Sequence, residues 1–593
     1  MPRQAPQIFQ NCEIINILSA EYAQSARGAH SKSSRLPLQV KIASYGKKDY
    51  TIKKRCGVQA AGQDAGDETM KRRDFCKGLA VTFAAGTLAP AAALPQAGAA
   101  TALVGRAVPD DYYTLWYRSD RCSADLRHDY YYSDSLFDHA ATEYDDKLAL
   151  ATLGMAAAAD SSWESDQRYW MTGEVGRADH IRDAFAKLGF AEVQLFNYTH
   201  SLNDAPDTVA CAVARKTLVR GGRQVTIIGA FARGSGYGAE WSGNLHAGSG
   251  SAHTGFVAAA RQLTEKIRGY VQASAKRQPL GTLKLWMGGY SRAGGVTNLV
   301  AARLPAVLPQ LEKKNTFIYT FAAPAALAAA DCPELQQDFD NNHTASGSLK
   351  KNWSASNIFN IISSGDVVPR VLPAEWGFYR NGNDRFLPAT VVPEELQALN
   401  DRSAGMEGAP LDFGRLAVTE ETDAVLQSMM TLFGSRQTYH EDYEDAMRCI
   451  LQCVTTRSKA EVTRGVILDD AAVVAQLRSM EPMQQFPQEK VERCVQAASA
   501  LSRPLLEKLG NAVPLQAQQI VIPMLAVGLC FELDPETLQL VSDFVLSTIT
   551  VKGQLSGILK TVLCHFLETY ITLLEYYDPA DHGMEPYTRQ EEL

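Results

Sequence analysis

Residues 283–295, LKLWMGGYSRAGG, carry the strongest structural signal in the chain. A strand-forming stretch runs into Gly-x-Ser-x-Ala around Ser291, and a helix-forming stretch follows, the arrangement of a nucleophile elbow. Small flanking residues are needed because larger side chains would strike the neighbouring strand or helix, and Ala293 is the mildest departure from the usual glycine. The turn exposes the Ser291 hydroxyl and puts the N–H of Arg292 near a developing oxyanion. We therefore predict Ser291 as the nucleophile of a serine hydrolase, the alternative being a glycine-rich turn with an incidental serine.

Strand and helix signals alternate on both sides of this turn. Such alternation predicts an α/β fold, with a mostly parallel sheet covered by helices on both faces. The predicted strands are residues 193–196, 208–213, 224–231, 316–321 and 357–362, and the predicted helices in the same part of the chain are residues 178–190, 255–274 and 294–303.

Composition excludes several classes of protein. The chain has 593 residues, 46% of them hydrophobic, which is enough to bury a large core. Its net charge of −8, without a dense Lys/Arg stripe, argues against a nucleic-acid partner. The eleven cysteines include no Cys-x-x-Cys pair, and His-Glu-x-x-His is absent, so we expect no metal and no cofactor. Cys449 and Cys453 are expected to be buried as apolar-type residues.

A serine nucleophile needs a histidine to accept its proton and a carboxylate to orient that histidine. In α/β-hydrolases the order along the chain is Ser, then Asp or Glu, then His. Asp366 follows the predicted strand 357–362, where such a sheet builds its site, and we predict it as the acid. A turn or helix-cap role is the alternative for Asp366.

Three histidines follow Asp366 and compete for the role of base. His565 falls within a long amphipathic pattern, residues 555–577, and is expected to be a structural helix residue. His440 starts a predicted helix and is the alternative base. His582 stands in a loop near the C-terminus, the usual place for the base, and is the preferred prediction.

The chain divides into five segments by composition and pattern. We expect an upstream segment that is disordered or precedes the true start, a signal peptide, an α/β core, a helical insert or cap without a transmembrane helix, and a C-terminal segment that returns the catalytic histidine. The expected segments are residues 1–69, 70–99, 100–411, 412–575 and 576–593.

The second segment has the features of an export signal. Met70 precedes the basic stretch KRRDFCK of residues 71–77, the apolar stretch 78–86 and the small residues 97–99. The Arg-Arg-x-Phe-x-Lys pattern resembles a twin-arginine signal, which would make the Tat export machinery a partner. We therefore expect a bacterium to export the protein to the periplasm or the exterior, with a mature chain that begins near Ala100. An ordinary hydrophobic helix is the alternative, and the true start is Met1 or Met70.

Several short motifs together resemble the class 3 lipases, the fungal-lipase-like α/β-hydrolases, and most closely bacterial exported members with a helical insert. The similarity covers roughly residues 145–387 and the last few residues. The motifs are FARGS at 231–235, EWSGN at 240–244, HTGF at 253–256, GYSRAG at 289–294, TFAAP at 320–324, GDVVP at 365–369 and His-x-x-Glu-x-Tyr at 582–587.

This resemblance implies a role for each matching residue. Ser291 would be the nucleophile, Asp366 the acid and His582 the base, while Ser235 and the N–H of Arg292 would form the oxyanion hole. The implied reaction is the hydrolysis of a small-molecule or lipid ester through an acyl-enzyme. Because Arg292 stands where the family commonly has Leu, a long cation is expected beside the site.

Two other classes of function remain open at this stage. One is a non-catalytic exported binding protein on a hydrolase scaffold. The other is a different acyl-transfer activity, namely a thioesterase, a peptidase or an acyltransferase.

Overall fold

The structure, a computed structural model, describes most of the chain after residue 103. The described residues are 104–119, 121, 124–160, 178–198, 208–234, 238–250, 252–328, 355–407, 410–455, 469–509, 515–538 and 557–577. All of them fall in one compact unit. The predicted segments 1–69 and 70–99 lie outside these residues, as does almost all of segment 576–593.

A seven-stranded sheet forms the centre. Its strands are β3 Ala191–Phe196, β4 Cys211–Arg220, β5 Arg223–Ala232, β6 Thr282–Tyr290, β7 Thr316–Phe321, β9 Ile358–Ser363 and β11 Asn383–Leu387. They lie in the order β11-β9-β7-β6-β5-β4-β3. Strands β5, β6, β7, β9 and β11 pair in parallel, whereas β3, β4 and β5 pair antiparallel. Outside the sheet lie β1 Asp111–Ser119, β2 Ala124–Tyr132, β8 Leu327–Ala328 and β10 Phe378–Tyr379.

Helices cover both faces of this sheet and continue into a long C-terminal helical region. They are α1 Asp146–Ala158, α2 Asp179–Lys187, α3 Gly238–Gly243, α4 Thr254–Arg277, α5 Arg292–Val307, α6 Pro393–Ala404, α7 Thr419–Phe433, α8 Glu444–Thr455, α9 Asp470–Arg478, α10 Gln488–Leu509, α11 Leu515–Cys530, α12 Gly557–Leu563 and α13 Leu567–Tyr576. A short α-helical turn Arg436–Thr438 and a π-helical turn Tyr439–Tyr443 lead into α8. The architecture confirms the predicted α/β-hydrolase-like fold.

Side chains of β6 alternate between two apolar cores. Leu285 and Met287 belong to the core that contains α4 and α5. Trp286 and Tyr290 face the opposite core, which contains α1, the hairpin β1–β2 and α13. Because successive side chains of a strand point to opposite faces, this alternation directs Tyr290 toward α13.

The region from α7 to α11 contributes most of a third apolar core, which also includes residues of the α/β part such as Leu372 and Trp376. Cys449 and Cys453 are buried in it, as the sequence predicts, and burial raises the pKa of the Cys449 thiol well above its usual value. In the described part of the chain, none of the helices has the length and hydropathy needed to cross a bilayer.

Two glycines in α4 differ in the space available for a side chain. A Cβ on Gly255 would lie 2.0 Å from the carbonyl oxygen of Gly243, so this glycine allows α3 and α4 to approach closely. A Cβ on the exposed Gly269 meets no heavy atom within 4 Å.

We predict opposite effects of alanine at these two positions. Gly269→Ala raises the free energy of unfolding by about 1 kcal/mol, because alanine favours the helix more than glycine does. Gly255→Ala lowers it by about 1–3 kcal/mol through overpacking. Urea denaturation of both variants measures the difference, and a stability loss in Gly269→Ala would contradict this packing.

Candidate active site

Ser291 lies in a strained turn between β6 and α5. Its φ of 56° and ψ of −130° are values that residues other than glycine rarely adopt. The N–H of Ser291 donates to the carbonyl oxygen of Phe321 at 2.9 Å, which ties the turn to the end of β7. The predicted nucleophile elbow is therefore present in the backbone geometry.

Close packing explains the small residues around this turn. A Cβ on Gly289 would lie 2.4 Å from the carbonyl oxygen of Ala293, and one on Gly294 would lie 2.8 Å from the Cβ of Ala323. Ala293 itself is fully buried, so its methyl group fits where the usual motif has glycine.

The imidazole of His565 bridges Ser291 and Asp366. The Ser291 hydroxyl lies 2.9 Å from His565 Nε2, and His565 Nδ1 lies 2.8 Å from Asp366 Oδ2. With Nδ1–H donating to the carboxylate, Nε2 is left as an acceptor for the serine hydroxyl. These contacts join the end of β6, the loop after β9 and the turn between α12 and α13.

The carboxylate of Asp366 is fully buried and accepts three hydrogen bonds. Its Oδ1 accepts from the N–H of Val368 at 2.9 Å. Its Oδ2 accepts from His565 and, at 2.8 Å, from the hydroxyl of Tyr570. Tyr570 in turn accepts from the N–H of Ser363 at 3.0 Å. Burial raises the pKa of Tyr570 well above its usual value, so the phenol keeps its proton as a donor.

His565, and not the predicted His582, lies between Ser291 and Asp366, which corrects the sequence interpretation. His582 itself lies outside the described residues. His565 is not a residue of a continuous helix: α12 ends at Leu563, α13 begins at Leu567, and His565 lies in the turn between them. The amphipathic pattern continues across this turn without glycine or proline, so periodicity alone predicts one helix.

A sequence signal for His565 nevertheless exists. The spacing His-x-x-Glu-x-Tyr, quoted above for residues 582–587, also occurs at residues 565–570. In the structure Tyr570 donates to Asp366, and the buried Glu568 accepts from the hydroxyl of Ser119 on β1. The first copy of the motif therefore supplies both the imidazole and its supporting contacts.

His440, the alternative base, has a different environment. Its Nδ1 lies 2.7 Å from an oxygen of Glu444, whose buried carboxylate also accepts from the N–H of Gly248 and lies 3.6 Å from His246. These contacts join the π-helical turn to the loop after α3. The contacts described for Ser291 and Asp366 place His565, not His440, against them.

Of the two residues predicted for the oxyanion hole, the structure describes only Arg292. Ser235 lies outside the described residues. Arg292 is the first residue of α5, so its N–H lies at the positive end of the helix dipole, directly after the nucleophile. Two residues before Ser235 in the sequence, Arg233 forms a buried ion pair with Glu240 at 3.1 Å.

The expectation of a long cation beside the site is wrong. The guanidinium of Arg292 is buried and donates to Asn244 Oδ1 and to the carbonyl oxygen of Gly255, both at 2.9 Å. It also lies over the ring of Phe256. Arg292 therefore fastens the loop after α3 to the start of α4 instead of presenting a charge to a substrate.

His253 supports the same loop from the interior. Its ring is fully buried, lies against Phe256 with ring centroids 3.9 Å apart and has Nε2 3.1 Å from the carbonyl oxygen of Asn244. Burial and the nearby Arg292 charge hold the pKa of His253 well below its usual range. A neutral, enclosed ring of this kind is structural. Among the described residues, no His/Cys/Asp/Glu group has the arrangement to hold a metal ion.

Comparison with known families agrees with this geometry. Residues 232–376, which include Ser291 and Asp366, match the model of the family described as Lipase (class 3). The matched residues 232–376 are called the class 3 lipase segment below. The class 3 lipase segment extends from the end of β5 to just before β10, and His565 lies outside it. No curated protein matches the chain in sequence.

Fungal lipases are among the solved structures that are similar to the chain. The lipase of a Rhizomucor miehei lipase–propeptide complex is 19% identical, with a TM-score of 0.27, covering 41% of this chain and 68% of its own. Lipase II from Rhizopus niveus is 17% identical, with a TM-score of 0.27, covering 40% and 80%. The lipase from Rhizopus microsporus var. chinensis is 16% identical, with a TM-score of 0.26, covering 40% and 74%.

Gly365, next to Asp366, is packed against two other segments. A Cβ there would lie 2.4 Å from the carbonyl oxygen of Ala417 and 2.8 Å from Cys564 Sγ. The carbonyl oxygen of Gly365 also accepts from the hydroxyl of Thr422 at 2.8 Å. Any side chain at residue 365 must displace the acid loop or the turn that carries His565.

We predict that Gly365→Ala lowers kcat/KM for an ester substrate by about tenfold or more, because small displacements of catalytic groups are costly. It also lowers the free energy of unfolding by about 1–3 kcal/mol. Steady-state kinetics and urea denaturation measure the two effects, with Gly269→Ala as the matched control. Unchanged kinetics in Gly365→Ala would contradict the close packing described for this loop.

Proposed function

We propose that this protein is a lipase-type serine hydrolase that cleaves carboxylic esters through an acyl-enzyme. The observation that carries the proposal is the continuous hydrogen-bonded chain from Ser291 through His565 to the buried Asp366. The class 3 lipase segment, which includes Ser291 and Asp366, supports the same reading.

The geometry supplies a route for the proton. Ser291 Oγ attacks the ester carbonyl carbon while its proton passes to His565 Nε2 at 2.9 Å. The resulting imidazolium is stabilised by Asp366 and then protonates the leaving alcohol as the carbonyl bond re-forms. Water attacks the acyl-enzyme in the second half, with His565 again as general base, and releases the acid.

Developing negative charge on the carbonyl oxygen needs nearby donors. We propose the N–H of Arg292 as one donor, because it follows the nucleophile and begins α5. Ser235 stays the predicted second donor. No cofactor enters this mechanism.

The helical region after residue 412 is proposed to shape access to the site. The assigned cap, residues 412–575, also contains His565, so the whole segment cannot be removed without removing the base. Helices α7 to α11, which carry most residues of the third apolar core, are the candidate for the cap function.

We predict that Ser291→Ala and His565→Ala each lower kcat toward a p-nitrophenyl ester series by about 1,000-fold or more. His582→Ala and His440→Ala keep the wild-type rate within about twofold. A fluorophosphonate probe labels the wild type, His582→Ala and His440→Ala but not Ser291→Ala.

The outcomes separate the competing assignments. Loss of activity in His582→Ala with full activity in His565→Ala would restore the C-terminal base. A folded wild type that neither reacts with the probe nor hydrolyses esters would favour the non-catalytic binding protein. Labelling without ester hydrolysis would favour another acyl-transfer activity.

We also propose that the protein is exported through the twin-arginine signal in residues 70–99. The proposal rests on the basic and apolar stretches of the sequence and on the small residues at 97–99.

In a bacterium with a twin-arginine pathway, we predict an exported protein whose N-terminus, measured by mass spectrometry, lies near Ala100. Replacing Arg72 and Arg73 by lysine leaves the precursor in the cytoplasm, whereas the matched change Arg55→Lys upstream of Met70 has no effect. Export that is unaffected by the paired substitution would rule out the twin-arginine route.

A further inference from the structure

The residue before the nucleophile contacts the imidazole directly. The rings of Tyr290 and His565 are stacked, with centroids 5.2 Å apart and planes inclined by 29°. Tyr290 is nearly buried, so this contact is shielded from solvent. The end of β6 and the turn after it therefore supply both Ser291 and an aromatic ring that packs against His565.

A second tyrosine fixes the orientation of the first. Tyr570 meets the edge of Tyr290 with ring centroids 5.9 Å apart and an interplanar angle of 85°. Tyr570 is fully buried and its hydroxyl is held by Asp366 and Ser363. The ring of Tyr290 thus contacts the ring of Tyr570 as well as the imidazole of His565.

Aromatic stacking of this kind has an electrostatic consequence. An aromatic ring attracts a cation positioned over its face within about 6 Å of the centroid, and the attraction is larger when solvent is excluded. The neutral imidazole stacks on Tyr290, whereas the imidazolium formed during acyl transfer is additionally stabilised. The contact therefore favours the state that follows proton transfer from Ser291.

Two buried neutral groups and one ion pair also lie near the imidazole. Burial raises the pKa of Tyr570 well above its usual value and that of Cys564 to about 12, so both stay neutral. On the adjoining α12, Lys560 is paired with Glu421 at 2.6 Å. Asp366 is the carboxylate in contact with His565, and Tyr290 supplies an aromatic face to the same ring.

We propose that Tyr290 is a positioning residue whose ring holds the His565 imidazole in line with Ser291 and Asp366 and stabilises its protonated form. This inference rests on the proposed hydrolase function. It assigns a role to Tyr290, the last residue of β6, which the proton route itself does not use.

The test compares Tyr290→Leu, which removes the aromatic face, with Tyr290→Phe, which keeps it. The profile of kcat/KM against pH has an acidic limb, where activity falls as His565 is protonated. Tyr290→Leu is expected to move the midpoint of this limb to lower pH by about half a unit, because the imidazolium loses the aromatic ring that stabilises it. Its plateau rate falls about three- to tenfold. Tyr290→Phe restores the wild-type midpoint. Labelling of Ser291 by the fluorophosphonate probe and the melting temperature show that Tyr290→Leu remains folded.

Each alternative result overturns the inference. A wild-type midpoint in Tyr290→Leu, with or without a lower rate, would make the ring a packing residue only. Equal effects in both variants would assign the role to the hydroxyl group and not to the aromatic face. An inactive wild type would instead refute the proposed function, so the two failures are distinguishable.

Discussion

The buried carboxylate of Asp366 sets the strongest constraint on this protein. A charge removed from water is costly unless donors surround it, and only one of its three hydrogen bonds comes from its own loop. The other two come from His565 and Tyr570, about 200 residues later in the chain. The sheet that places the acid therefore depends on the last described helix to make that placement stable.

The same constraint explains why distant segments converge at one point. Gly365 has no side chain because Ala417 and Cys564 occupy the space beside it. On the far side of α13, Ser119 donates to Glu568, so the first hairpin also holds the helix that carries Tyr570. The proposed catalytic chain is thus supported by contacts from β1, from the loop after β9 and from the α12–α13 turn.

Local sequence patterns predicted the parts of the site that are local in structure. The nucleophile elbow depends on glycines close to Ser291, and Asp366 directly follows a strand, so both were identifiable from the sequence. Local patterns do not identify His565, because its position depends on a helix break without glycine or proline, at a site set by tertiary contacts. The environment of the Arg292 side chain is not predictable for the same reason: its acceptors, Asn244 in the loop after α3 and Gly255 at the start of α4, lie 48 and 37 residues away in sequence.

The most direct test is a crystal structure of the protein inhibited with a fluorophosphonate. Our account predicts phosphonate density bonded to Ser291 Oγ, with His565 Nε2 within hydrogen-bond distance and Nδ1 donating to Asp366. A phosphonate on Ser291 with a different histidine beside it, and His565 turned away from Asp366, would contradict the account.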